Sequence, residues 1–291
     1  MSALKSWELP DAVVSLESPA VVGILNVTPD SFSDGERWLE PTAAVDRALR
    51  MVDEGADLVD VGAESTRPGA PSVDEEEEWR RLEPVVTGLA PHGVRLSIDT
   101  TKYEIARRAL DSGVAAVNDV SGLRFSPEIA SLCAAHGAGL ILMHMRGVPR
   151  TMQMNVEYRD LLGEVRQFLE TQASAALSAG CSRGQIVIDP GIGFGKSAEG
   201  SLELLSRIAE LTPLGYPVLV GPSRKSFIGR ILGLSIEQRL EATIAACLAA
   251  YQGGARLFRV HDVAPVRRAL DMAEAIQRVA GERAPDRTAA R

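Results

Sequence analysis

The sequence has few cysteines, no excess of positive charge and no long apolar run. Its three cysteines, Cys133, Cys181 and Cys247, are far apart and form no Cys-x-x-Cys pair, which excludes a disulfide framework and offers no zinc site. Buried, inert thiols are expected. Lys plus Arg number 31 against 39 Asp plus Glu, a net charge of -8, so no broad basic surface faces nucleic acid or anionic membrane. An anionic ligand needs a local basic pocket. The longest apolar runs, such as Ala138 to Met143, fall well short of the roughly 18 residues of a membrane span, and Met1 to Ala20 holds Lys5, Glu8, Asp11 and Glu17 without an apolar signal core. A cytoplasmic protein with no nucleic-acid or membrane partner is the expectation.

What is present is a chain of 291 residues, 45% hydrophobic, with enough apolar content for a large core. Eight short apolar, β-prone runs recur: Val21 to Val27, Leu58 to Val61, Arg95 to Ile98, Ala116 to Val120, Gly139 to Met143, Ile186 to Ile188, Val218 to Val220 and Leu257 to Val260. Amphipathic segments follow them, with helical spacing in Ala43, Ala44, Leu49, Met51 and Val52 and in Leu240, Ile244, Ala245, Leu248 and Ala249. Such alternation demands parallel strands with crossover helices, and eight units in about 250 residues fit an α/β (β/α)8 TIM barrel better than an open doubly wound sheet. No linker or composition break divides the chain, so a single domain is expected over residues 20–280. Residues 1–19 read as an N-terminal extension and 281–291, polar and Ala/Arg-rich, as a disordered tail.

Side chains just past the carboxyl ends of barrel strands converge on one mouth. Here those positions are heavily polar: Asn26 to Gly35 after strand one, Glu64 to Gly69 after two, Asp99-Thr100 after three, Asn118-Asp119 after four, His144 after five, Asp189 to Lys196 after six, Ser223 to Ser226 after seven and Arg259 to Asp262 after eight. Singly, each has a structural explanation: Asp189 before Pro190 suits a turn, Asn118 a strand-end cap, Arg259 a surface ion pair. Together they exceed what a stability-only mouth requires. The glycine-rich stretch does not bind a nucleotide by either standard motif. A P-loop ending Gly195-Lys196-Ser197 needs glycine at Pro190, and a dinucleotide fingerprint from Gly191 and Gly193 needs glycine at Lys196. These glycines instead suit close approach of backbone to a flat ligand, with Phe194 beside it.

Asn26 to Gly35, Glu64 to Gly69, Ser97 to Thr100, Asn118 to Val120, Asp189 to Lys196, Ser223 to Ser226 and Arg259 to Val263 resemble, in order, the motifs of the dihydropteroate synthases, the folate-pathway transferases that sulfonamides inhibit. The resemblance runs from about residue 20 to 280 and implies a pterin-binding TIM barrel. It also implies the family's reaction, in which 6-hydroxymethyl-7,8-dihydropterin pyrophosphate and 4-aminobenzoate give 7,8-dihydropteroate and pyrophosphate with Mg2+, usually on a homodimer. Carried over residue by residue, it makes Asp99, Asn118, Asp189 and Lys225 the pterin set. Asn26, Arg259 and His261 become the diphosphate set, with Asn26 also reaching Mg2+. Thr66, Arg67 and Ser223, with Phe32 and Phe194 as apolar walls, become the 4-aminobenzoate set. Asp99, Lys225, Arg259 and His261 are then the catalytic residues.

Two rivals remain at this point. A methyltetrahydrofolate corrinoid methyltransferase shares the pterin acids without a diphosphate clamp, and a binding-only paralogue keeps the fold without turnover. Lys225, Arg259 and His261 favour the synthase. His144 reads equally as a site-lining group and as a satisfied strand-end histidine. Ser72 with Glu75 resembles a capping box, making Asp74 to Glu78 a solvated helix start, and Met143, Met145, Met152 and Met154 read as core and loop filler. Glu36, Ala63 and Ile192 depart from the usual family pattern, and Glu36 adds a charge to the first loop.

Overall fold

A computed structural model describes residues 4–28, 41–65, 69 and 72–282. Eight of its strands form one parallel sheet: β3 (Ala20–Asn26), β4 (Leu58–Gly62), β5 (Leu96–Asp99), β6 (Ala116–Asp119), β7 (Gly139–Met143), β8 (Ile186–Asp189), β9 (Leu219–Val220) and β10 (Leu257–Val260). Their order is β8-β7-β6-β5-β4-β3-β10-β9, and one parallel bridge between Ile188 and Val218 joins the two edges. The sheet is therefore a barrel, its seam at β8 and β9. All eight expected strands are present, with ends shifted by at most a residue or two.

Residues two apart share a face of a strand, which divides the barrel into an inside and an outside. Val59 and Val61 of β4 pack outward among the helices, whereas Leu58 joins Ala20, Val22, Ala116, Ile141, Val187, Leu219 and Leu257 in a separate apolar cluster. That cluster fills the amino-terminal half of the barrel interior. Continuing each inward row toward the carboxyl end leads from Leu58 to Asp60, from Ala116 to Asn118, from Val187 to Asp189 and from Leu257 to Arg259. The interior thus changes from apolar to charged along its axis.

Helices cover the outside. The first, α1 (Pro41–Asp53), buries Ala44, Ala48 and Met51 at a spacing of three to four and leaves Val52 exposed. In the helix Leu240–Gln252 the buried face is Thr243, Cys247, Ala250 and Tyr251; of the expected row, Leu240, Ile244 and Leu248 are half-buried, whereas Ala245 and Ala249 are exposed. Alanine and leucine are common all round this helix, so its sequence carries little facial contrast. The cysteines are buried as expected. Among the described residues no helix is long and apolar enough to cross a membrane.

Residues 6–15, within the stretch read as an extension, form an antiparallel hairpin of β1 (Ser6–Leu9) and β2 (Ala12–Ser15). Trp7, Leu9 and Leu16 complete the interior cluster, so the hairpin closes the amino-terminal end of the barrel. Its tryptophan Nε1 donates to the Gln185 carbonyl at 2.8 Å, and the ring lies so close to Gly139 that a Cβ there would sit 2.6 Å from it. Trp7→Phe should keep the apolar contact but strand that carbonyl, lowering stability by about 1 to 3 kcal/mol while leaving kcat unchanged. Urea denaturation beside a turnover assay measures both, and a matching fall in kcat would contradict a plug remote from the chemistry.

Candidate active site

The charged end of the interior is organised by Asp60, a residue not singled out in the sequence. It is 0% exposed, and its carboxylate accepts from Ser97 Oγ (2.5 Å), Asn118 Nδ2 (3.0 Å) and Arg259 Nε (2.6 Å). Arg259 also donates from Nη2 to Asp99 Oδ2 at 2.7 Å, so one guanidinium bridges two carboxylates. A buried acid needs this degree of satisfaction. The visible signal was a carboxylate in the middle of an apolar strand, Leu58-Val59-Asp60-Val61, where a solvated role is impossible.

Around this base lies a narrow pocket lined by Asn118, Val120, Met143, Asp189, Ile192, Phe194, Gly221, Lys225 and Arg259. With its Nδ2 on Asp60, Asn118 offers Oδ1 to the pocket as an acceptor. Asp189 uses Oδ1 for the Gly191 N–H at 2.7 Å and keeps its other oxygen as a second acceptor. The donor is Lys225, whose Nζ stands 3.7 Å from the centroid of the Phe194 ring. Burial raises Asp99 to about 7 against the pull of Arg259 and raises Asp189 to about 6. Burial also brings Lys225 down to about 7, opposed by the field of Asp189. Acids and base are therefore poised near neutrality.

Backbone shape makes the approach possible. Gly191, Gly193 and Gly195 have φ of +68°, +80° and +63°, a region costly for other residues, and a Cβ on Gly193 would press within 3.3 Å of Lys225 Cδ. The opposite loop holds Lys225 with equal care. Arg224 takes φ +54°, its N–H donating to Thr243 Oγ1 at 3.0 Å while its guanidinium grips Asp262 at 2.6 and 2.9 Å. Strain there is repaid by four anchors, since Arg239 Nη1 also donates to the Arg224 carbonyl at 3.0 Å.

His261 follows Arg259 by two residues on the same side of the chain, and its Nδ1 lies 2.9 Å from Ser223 Oγ. Burial, with the fields of Arg259 and Arg224, lowers its pKa to about 3, so the ring is neutral. Ser223 Oγ accepts from the His261 N–H at 3.2 Å, and if its own proton goes to Nδ1 the ring proton sits on Nε2, a hydrogen-bond donor. Ser223, expected beside 4-aminobenzoate, thus contacts His261, and Phe194, expected in that same set, lines the pocket of the pterin set. Asn26 ends β3, half-buried. Phe32, Glu36, Thr66 and Arg67 lie outside the described residues.

A family model described as pterin binding enzyme matches residues 22–261. The dihydropteroate synthase of Synechocystis is 48% identical over 260 residues, covering 89% of this chain and 90% of its own. This chain belongs to the dihydropteroate synthase family. Among solved structures, the Yersinia pestis dihydropteroate synthase with a sulfonamide complex superposes with a TM-score of 0.89 at 38% identity, over 94% of this chain and 99% of its own. That of Xanthomonas albilineans with 4-aminobenzoic acid gives 0.87 at 44%, over 94% and 98%. The TIM-barrel fold expected from the element count is the fold of these dihydropteroate synthases.

Two readings of individual residues change. The helix α2 (Glu75–Leu89) is capped by Asp74, which accepts from the Glu77 N–H at 2.8 Å, not by a Ser72–Glu75 box. Glu78 is buried rather than solvated, paired with Lys102, which also binds Glu64 and, at 2.6 Å, the Val73 carbonyl. One turn into a helix, the fifth acid of a run rotates inward, and a partner distant in sequence makes that tolerable. His144 proves to be a satisfied strand-end histidine, 2.8 Å from Lys196 Nζ and outside the pocket lining.

Proposed function

We propose that the chain condenses 6-hydroxymethyl-7,8-dihydropterin pyrophosphate with 4-aminobenzoate, giving 7,8-dihydropteroate and pyrophosphate. The observation that carries this reading is the pocket's pattern of two acceptors, Asn118 and Asp189, and one donor, Lys225, beside a charged base. A pyrimidine edge with an amino group, a ring N–H and a carbonyl presents the complementary pattern. In this arrangement Asn118, Asp189 and Lys225 hold the ring, and Asp99 stabilises positive charge developing at the methylene as the bond to the diphosphate oxygen lengthens. The aniline nitrogen then attacks that carbon, the C–O bond breaks to release pyrophosphate, and the nitrogen's proton passes to the released pyrophosphate or to water.

On the diphosphate side stand His261 Nε2 and Asn26. Arg259 serves both sides, because its inner edge holds Asp60 and Asp99 while its place in the pocket wall faces the ring. Among the described residues no group of three His, Cys, Asp or Glu could hold a metal by itself. Asn26, whose amide oxygen is a hard ligand of the kind Mg2+ takes, would hold the ion, which would supply charge neutralisation for the leaving group when bound. Thr66, Arg67, Ser223, Phe32 and Phe194 are proposed for 4-aminobenzoate by resemblance, Phe194 from the wall it shares with the pterin pocket. A homodimer in the cytoplasm is the proposed setting.

The direct test incubates the purified protein with Mg2+, the dihydropterin pyrophosphate and 4-aminobenzoate and measures dihydropteroate and pyrophosphate. Release of both in equal amounts is expected, and binding without either product would leave the binding-only paralogue. His261→Ala should weaken pyrophosphate binding roughly 10- to 100-fold, the effect of one hydrogen bond to a charged group, with affinity for 6-hydroxymethylpterin kept. Calorimetry with each ligand separates these, and loss of pterin affinity instead would remove His261 from the leaving-group side.

A further inference from the structure

Behind the pocket wall lies a fully enclosed lysine for which the reaction has no use. Lys196 is 2% exposed, and its Nζ has three partners: the His144 carbonyl at 3.1 Å, the Phe194 carbonyl at 3.0 Å and His144 Nδ1 at 2.8 Å. Three partners around one tetrahedral nitrogen leave it no direction toward substrate. We infer that Lys196 is a positioning residue of the pterin pocket, acting through the Phe194 carbonyl to hold the Gly191–Gly195 turn and the Phe194 ring in place against Lys225. The inference rests on the pocket being the pterin site.

The turn needs such a holder because its own hydrogen bonding is sparse. Within it, the Phe194 N–H reaches the Gly191 carbonyl at 3.0 Å, and three glycines with positive φ supply no side chains to pack. Three of its other carbonyls are taken from outside: Gly193 by Gln153 Nε2 at 2.7 Å, Gly195 by the Tyr158 hydroxyl at 2.8 Å and Phe194 by Lys196. Gln153 and Tyr158 are only half-buried and belong to the connection after β7, whereas Lys196 ties the turn to β7 itself through His144. His144 is fixed in turn, its ring edge-on to Phe168 with centroids 5.0 Å apart. Displacing Phe194 would move the ring beneath Lys225 and the backbone beside Asp189, two members of the pterin set at once.

Burial lowers Lys196 well below its ordinary value and lowers His144 to about 2, so the pair carries no more than one mobile charge. The contact fixes the imidazole in a single neutral tautomer: Nε2–H if Lys196 is an ammonium, Nδ1–H if it is an amine. That tautomer is a spectroscopic signature of the strut, independent of turnover.

The test compares wild type with Lys196→Met and with Lys196→Gln, which keeps an amide donor. In Lys196→Met the KM for the dihydropterin pyrophosphate and the Kd for 6-hydroxymethylpterin should rise roughly 10- to 100-fold, the scale of a small misplacement of binding groups, with the KM for 4-aminobenzoate rising by a smaller factor. Lys196→Gln should recover part of the loss. Imidazole 15N spectra should show one His144 tautomer in wild type and a mixture in Lys196→Met. If Lys196→Met fails to fold, the glutamine variant and Tyr158→Phe, which frees the adjacent Gly195 carbonyl, are read in its place, both raising the pterin KM selectively. A lower melting temperature with both KM values unchanged would reduce Lys196 to a core residue and overturn the inference. Wild type that binds no pterin at all would instead remove the reading of the pocket beneath it.

Discussion

Arg259→Ala is expected to destabilise the protein by about 3 to 5 kcal/mol, as removal of one partner does when it leaves buried charge uncompensated. The reason is the position of Asp60, enclosed in the barrel, where among the described residues Arg259 is the cation that it accepts from, beside the neutral Ser97 and Asn118. Asp99 loses the same partner. Substituting Asp60→Asn in the same chain should restore part of the loss, because the orphaned charge goes with it. A double-mutant cycle by urea denaturation should give a coupling of about 0.5 to 3 kcal/mol. Strict additivity would mean that the two side chains are neighbours without energetic linkage. Turnover needs separate treatment, since Arg259 also lines the pterin pocket: the alanine variant should lose pterin affinity together with pyrophosphate affinity, whereas His261→Ala loses only the latter.

How far the sequence revealed this arrangement depends on how local each determinant is. Strands such as Gly139 to Met143 are short apolar runs whose burial on both faces is written in their composition, so the barrel and its polar mouth could be read directly. Asn118, Asp189, Lys225 and Arg259 meet at one pocket because strand ends in a barrel must converge. Asp60 was legible only as an anomaly, since what makes it tolerable is Arg259, 199 positions away. Lys196 was hidden for a similar reason: its partners are carbonyls and a histidine ring, and backbone carbonyls have no sequence signature. The hairpin at residues 6–15 is too short for a clear alternation, and its register is set by Trp7 finding the space above Gly139. Ser223 and Phe194 show the remaining limit. Their presence at the mouth followed from spacing, but which neighbour each faces depends on side-chain direction.

The second large effect concerns Asp99. In the free protein burial raises Asp99 and lowers Lys225, each to about 7, and each lies in the other's electrostatic field. The kcat/KM for the pterin substrate should therefore be bell-shaped around neutrality: the acid limb reports formation of the Asp99 carboxylate and the alkaline limb loss of the Lys225 ammonium, each apparent value belonging to the pair. Stability follows the opposite sign on the acid limb. Because its folded pKa lies above the ordinary 3.8, Asp99 contributes stability that is fully present below that value and is lost as pH rises through about 7. The charge that the chemistry needs is thus one the empty fold resists. Asp99→Asn, close in shape and unable to ionise, should lower kcat by roughly 100- to 1000-fold, the cost of removing one preorganised electrostatic contact, and should abolish the acid limb while leaving the alkaline one. At pH 8 its melting temperature should equal or exceed that of wild type. A variant that melts early at pH 8 with kcat intact would make Asp99 a structural partner of Arg259 alone, and an unchanged acid limb would assign that titration to Asp189, the raised carboxylate that lines the pocket.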